Sequence, residues 1–116
     1  MAQGERLICS AEDLPEQGKG VRFELQQGDL RQQAFVVRFA GAPHAFLNQC
    51  GHILVELDWQ EGEFFDDSRL YLICSTHGAL YDPTSGRCIS GRCAGRGLTP
   101  LRVEEREGQI YLMEEK

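Results

Sequence analysis

Cys50-Gly51-His52 and Cys74-Ser75-Thr76-His77, separated by the 21 residues at positions 53–73, are the two stretches around which the rest of this sequence has to be arranged. Each box follows a strand-like run and supplies one thiolate and one imidazole. Two loops built this way can approach a dinuclear metal centre from opposite sides, each giving one sulfur and one nitrogen. Two Cys and two His also make an acceptable tetrahedral zinc set, so a structural zinc-binding interaction module is an alternative. Zinc modules more often pair Cys with Cys and His with His, whereas a dinuclear site with segregated ligands needs the Cys, His, Cys, His alternation found here. Only three His occur in the chain, so using two of them at this spacing is a specific signal.

Outward from the boxes, apolar and β-branched residues come in short runs, and no window of a dozen residues sustains a helical period. Strands are expected at 6–9, 21–26, 34–39, 44–48, 70–73, 79–81, 101–105 and 109–113. Between them stand Gln27-Gly28-Asp29, Gly41-Ala42-Pro43, Asp82-Pro83-Thr84-Ser85-Gly86 and Glu107-Gly108, each with Gly, Pro or Asp where a turn needs it. The last of these predicts a closing hairpin. Ser10 is placed to cap a single helical turn running into Asp13. The fold class is therefore all-β, a β framework with a ligand-bearing insertion at about 48–97.

With 116 residues the chain fits one domain, 1–116. Hydrophobic residues at 41% and charged residues at 26% are those of a folded globular protein. A formal charge of -6 repels polyanions, which argues against nucleic acid and for a partner with a basic docking face. The first 13 residues carry Glu5, Arg6, Glu12 and Asp13 and so lack the apolar core of a signal peptide. No apolar run approaches the roughly 20 residues of a membrane span. Five cysteines without an export signal point to a reducing, cytoplasmic setting, where cysteines bind metals or do redox chemistry.

The two boxes resemble the signature of the Rieske family, Cys-x-His and Cys-x-x-His on two loops, and all four ligand positions match: Cys50, His52, Cys74 and His77. Gly78 after the second His and Tyr81-Asp82 beyond it continue the resemblance. Ser75-Thr76 depart from the Pro-containing spacer of many members without removing a ligand. The resemblance implies a β-sandwich or barrel framework with an inserted cluster-binding subdomain formed by two ligand loops. It also implies one 2Fe-2S cluster, with two Cys on one iron and two His on the other. Neutral imidazoles in place of two anionic thiolates make such a cluster easier to reduce.

By the same resemblance the chain is expected to be a small ferredoxin, not an enzyme on its own. It would carry one electron from a flavin-dependent reductase to a terminal oxygenase or similar reductase protein. An accessory subunit of a nitrite reductase-like complex is a second reading within the family. A full oxygenase is not expected, because three His cannot serve both a cluster and a mononuclear iron site. High-potential members carry a disulfide between the ligand loops and a Ser hydroxyl bonded to a cluster sulfide. Here Val55 and Thr76 occupy those cysteine positions and Ala79 the hydroxyl position. The expected potential is near the low end of about -150 to +300 mV.

Several conspicuous residues have plainer readings. Cys88 and Cys93 are close enough for a disulfide or an accessory redox pair, but ordinary packing is the simpler expectation. They lie in a Gly-rich stretch where similar proteins place a loop covering the cluster. Cys9 reads as a buried strand residue, His44 as a surface or strand-edge histidine, and Trp59 as core. The run from Glu61 to Asp67, with Phe64 and Phe65, would make either a docking patch or, more simply, a solvated loop. Arg87, Arg92 and Arg96 are a possible basic counterpart.

Overall fold

Ala34-Phe35-Val36-Val37 is a run with 0% exposure at all four side chains in the computed structural model, and this run explains the architecture. Successive side chains of a strand point to opposite faces, so a strand buried at every position must lie between two cores. Phe35 and Val37 enter one core with Phe46, Phe64, Leu72, Cys74, Ala79, Tyr81 and Leu98. Ala34 and Val36 enter another with Leu14, Phe23, Leu25, Ala45, Leu47, Ile110 and Leu112. The structure describes residues 4–27, 30–48, 62–74, 78–91 and 97–114.

The strands are β1 (Gly4–Ser10), β2 (Val21–Gln27), β3 (Leu30–Phe39), β4 (Ala42–Leu47), β5 (Leu72–Ile73), β6 (Leu80–Tyr81), β7 (Cys88–Ser90), β8 (Pro100–Leu101), β9 (Val103–Arg106) and β10 (Gln109–Glu114). They form three sheets with orders β1-β10-β9, β2-β3-β4-β8 and β5-β6-β7, and every pairing within them is antiparallel. The first two are the framework, and the third carries the second Cys/His box. Arg38 on β3 clips the framework sheets together: its Nη1 donates to Glu105 Oε1 on β9 at 2.8 Å, and its Nε donates to the Leu14 carbonyl at 2.8 Å. No helix among the described residues is long and apolar enough to cross a membrane.

Local sequence accounts for the turns. Glu107 and Gly108 both have positive φ, 52° and 77°, the backbone a two-residue hairpin needs to match strand twist. Ala40 and Gly41 do the same between β3 and β4. There the Glu16 carboxylate accepts from both turn N–H groups, at 2.7 and 3.0 Å, which offsets the strain of a non-glycine at φ 57°. Ser10 caps a 3-10 turn, Ala11–Asp13, by accepting from the Glu12 N–H at 3.3 Å.

Expectation and structure differ in extent more than in kind. Strand β3 starts four residues before 34, and the run 101–105 is split into β8 and β9 at Arg102. The run 70–73 shortens to Leu72–Ile73, because Asp66 builds a turn just before it, accepting from Ser68 Oγ and the Arg69 N–H. Strand β7 was not expected. Its residues read as a Gly-rich loop, yet Cys88 pairs with Tyr81 and Ser90 with Leu80.

Candidate functional site

The second box is the loop of the β5–β6 hairpin. Leu72 pairs with Tyr81 and Ile73 with Leu80, after which the Cys74 N–H donates to the Ala79 carbonyl at 2.9 Å. The Gly78 N–H donates back to the Cys74 carbonyl at 2.7 Å. Gly78 sits at φ 73°, and nothing within 4 Å would touch a Cβ there. Its role is therefore conformational: a left-handed backbone that closes the loop, a shape an L-residue adopts only at a cost of about 1–2 kcal/mol. The Cys74 side chain is fully buried at the root of this loop. Ser75, Thr76 and His77 lie outside the described residues.

The first box issues from the end of β4. Leu47 donates its N–H to the Thr99 carbonyl at 2.9 Å, and Asn48 donates to the Gln33 carbonyl at 2.8 Å. Asn48 is the one buried polar side chain among the described residues. Cys50 and His52, two and four positions further on, lie outside the described residues, as do Val55 and Trp59. Of the four expected ligands only Cys74 is among the described residues. Among the described residues no group of three or more His, Cys, Asp or Glu stands together as a metal site.

What joins the two approaches is the core under them. Phe46 of β4 and Cys74 belong to one buried cluster. Phe64 stacks on Phe35 with ring centroids 3.9 Å apart at 12°, and its carbonyl accepts the Ile73 N–H at 2.9 Å. One residue thereby connects the framework strand β3 to the strand that delivers Cys74. This decides the reading of the acidic-aromatic run: Phe64 is core, Phe65 packs against the same cluster, and Asp66 builds a turn. A docking patch using both aromatics is not what they form. No local signal distinguished Phe64, since an aromatic flanked by acids reads as exposed.

The residues beside the box are equally constrained. Ala79 and Tyr81 are fully buried, and Tyr81 lies between Leu72 and Cys88 across the small sheet. Asp82 organises the β6–β7 turn by accepting from the Thr84 hydroxyl at 2.7 Å and the Thr84 N–H at 2.8 Å. These bonds, the hydroxyl's first, hold its carboxyl below the usual carboxylate range, since they favour the charged form. Cys88 is in a disulfide, where ordinary packing had been the simpler expectation. Cys9 is a half-buried thiol against the second core, and burial followed by the charge of Asp13 pushes its pKa up. His44 belongs to β4, with Nε2 3.2 Å from the Phe39 carbonyl oxygen. Arg87 is exposed, and Arg92 and Arg96 lie outside the described residues.

A buried thiol at a hairpin root beside a left-handed glycine, with Cys50 and His52 following β4 in sequence, fits the donor set of a 2Fe-2S cluster with mixed Cys and His ligands. Comparison with known proteins agrees. The model of the Rieske [2Fe-2S] domain matches residues 5–110. Among solved structures, the ferredoxin of Sphingomonas yanoikuyae B1 is 17% identical, with a TM-score of 0.70 over 97% of this chain and 100% of that one. The ferredoxin of carbazole 1,9a-dioxygenase from Nocardioides aromaticivorans IC177 is 19% identical, with a TM-score of 0.71 over 96% and 98%. A chain in the complex of reduced oxygenase and oxidized ferredoxin in carbazole 1,9a-dioxygenase is 20% identical, with a TM-score of 0.72 over 97% and 94%. At these identities the likeness is one of fold. No curated protein matches. With that fold and a domain match over nearly the whole length, the chain belongs to the Rieske [2Fe-2S] domain family.

Proposed function

We propose that this chain is a small Rieske-type ferredoxin, a one-electron carrier in which Cys50 and Cys74 hold one iron and His52 and His77 the other. The observation that carries the reading is the placement of Cys74: a fully buried thiol in a loop closed at both ends by backbone hydrogen bonds, in the same core as the strand leading to Cys50. When bound, the cluster supplies a one-electron couple. The chain's own contribution is rigidity and exclusion of water. Cys74 is held by the β5–β6 hairpin, that hairpin by Phe64, and Phe64 by the stacked ring of Phe35. A donor set that does not move between charge states keeps the reorganisation accompanying electron transfer small.

The partners follow from the relatives. One similar chain comes from a complex of oxygenase and ferredoxin, and a terminal oxygenase is accordingly the proposed electron acceptor, with a flavin-dependent reductase as donor. A net charge of -6 suits docking faces that are basic.

Visible absorption of the anaerobically purified protein, followed by low-temperature EPR after dithionite reduction, tests the assignment. A brown protein is expected, whose reduced spectrum has a lower average g than all-cysteine clusters show and loses that feature in His77→Cys. A protein that stays colourless through anaerobic reconstitution with iron and sulfide, and binds one zinc instead, would overturn it.

A further inference from the structure

Gln17 and Arg69 lie 52 positions apart, one in the framework and one in the insertion, and share an uncommon backbone. Their φ angles are 51° and 65°, in the left-handed region that a side chain makes costly. Each is held there by the other. Gln17 Nε2 donates to the Arg69 carbonyl at 2.8 Å, and Arg69 Nη1 donates to the Gln17 carbonyl at 2.9 Å. Glycine would adopt either backbone without strain but make neither bond. The strain is thus offset by a contact that only the two side chains supply.

This pair closes the outer end of a longer seam. On one side, segment 14–20 is fastened to β3 and the turn after it. The Gln17 N–H donates to the Arg38 carbonyl at 2.8 Å, Arg38 Nε donates to the Leu14 carbonyl at 2.8 Å, and the Glu16 carboxylate accepts from Ala40 and Gly41. On the other side lies a hairpin of the insertion. In it Phe65 pairs with Leu72, the Asp66 N–H donates to the Tyr71 carbonyl at 2.9 Å, and Arg69 stands in the turn. At the base of the hairpin the Gly20 N–H donates to the Gly62 carbonyl at 2.8 Å. A Cβ on Gly20 would lie 2.8 Å from Phe64 Cδ2 and from the Val36 carbonyl oxygen, so the seam fits closely between insertion and β3. It therefore meets the hairpin at its base and at its tip. The returning strand of that hairpin, Tyr71-Leu72-Ile73, runs directly into Cys74.

We propose that Gln17 and Arg69 are positioning residues for the Cys74 ligand, their reciprocal bonds fastening the tip of the 64–73 hairpin to the framework. The ligand role rests on the cluster reading, whereas the fastening stands on the geometry alone. Neither side chain acts on the thiol directly; both act through the strand that carries it. The Phe64–Phe35 stack secures the base of the hairpin, and a hairpin secured only at its base pivots there. Its returning strand is continuous with Cys74, so a pivot moves the ligand. A ligand with a range of positions gives the cluster a spread of geometries, seen as broadened lines in the EPR spectrum of the reduced protein.

The test compares Arg69→Gly, Gln17→Gly and Arg69→Lys with wild type as reconstituted holoproteins. Hydrogen exchange is followed by mass spectrometry over residues 64–74 and over β10, and EPR linewidths are recorded after dithionite reduction. Both glycine variants are expected to exchange several-fold faster over 64–74, with β10 unchanged, and to give broader lines. Arg69→Lys keeps a donor for the Gln17 carbonyl and should stay close to wild type. Glycine suits a left-handed backbone, so residues that only shaped their own turns would leave exchange unchanged or slow it; either result overturns the proposal. Equal acceleration over β10 would overturn it as well, since the whole fold would have loosened. Faster exchange over 64–74 with unchanged linewidths would overturn the ligand role. A wild-type protein without a Rieske signal would overturn the cluster reading and the ligand role with it, while the exchange rates still decide the fastening.

Discussion

Ala79 shows how much one side chain can decide at this site. It is fully buried, its carbonyl anchors the Cys74 N–H, and the family resemblance puts it at the position where high-potential members carry a hydroxyl. A hydroxyl donating to a cluster sulfide stabilises the more negative reduced state, so on that resemblance a low potential is expected here. A hydrogen bond worth about 1 kcal/mol corresponds to roughly 40 mV for a one-electron couple. Ala79→Ser is therefore expected to raise the potential by tens of millivolts in a redox titration; an unchanged or lower value would show that the new hydroxyl finds no sulfide. At this scale the four proposed ligands were legible as a pattern in the sequence, because metal coordination demands fixed residue types at short, fixed spacings. The disulfide of Cys88 was not, because whether a cysteine pairs or packs depends on a backbone path that residue identity alone does not define.

Among the elements, the β6–β7 turn has a pH dependence that can be worked out. Asp82 accepts two hydrogen bonds from Thr84, which hold its folded-state pKa below the ordinary 3.8. A carboxyl depressed on folding contributes stability that is fully present above the unfolded value and is lost as pH falls through the folded one. The window accordingly opens near pH 4 and extends below it. Urea midpoints from pH 7 to pH 2.5 should fall more steeply for wild type than for Asp82→Asn, the two curves diverging above pH 4 and converging in acid. Parallel curves would remove Asp82 from the account. The turns at Glu107-Gly108 and Asp82–Gly86 were readable in advance, because they rest on local dihedral and side-chain preferences. Strand β7 was not: a short run containing Cys and Ser, followed by Gly, has no periodicity, and it is a strand only because β6 offers an edge to pair with.

At the scale of the whole molecule, the link between framework and insertion is the stack of Phe64 on Phe35. Truncating a fully buried Phe removes transfer energy and leaves a cavity, typically at a cost of about 3–5 kcal/mol. Phe64→Ala is expected to lose that much in chemical denaturation and to shed its visible absorbance well before the framework unfolds. Phe65→Ala, at a half-buried neighbour, should lose much less. Equal losses at the two positions would mean that the stack does not hold the insertion to the framework.

By itself the sequence determined the chemistry, the strand class and most of the turns, since each rests on residue type and on contacts close along the chain. The runs expected at 6–9, 21–26, 34–39 and 109–113 all lie within strands. The tertiary structure decided which apolar residues share a core: Phe35 and Phe64 lie 29 positions apart in sequence and meet ring to ring. It also decided that β3 is buried on both faces, and that Gly91 lies against Ala79. Burial on both faces and contact between distant segments depend on where other strands come to rest, and no local pattern of residues encodes that.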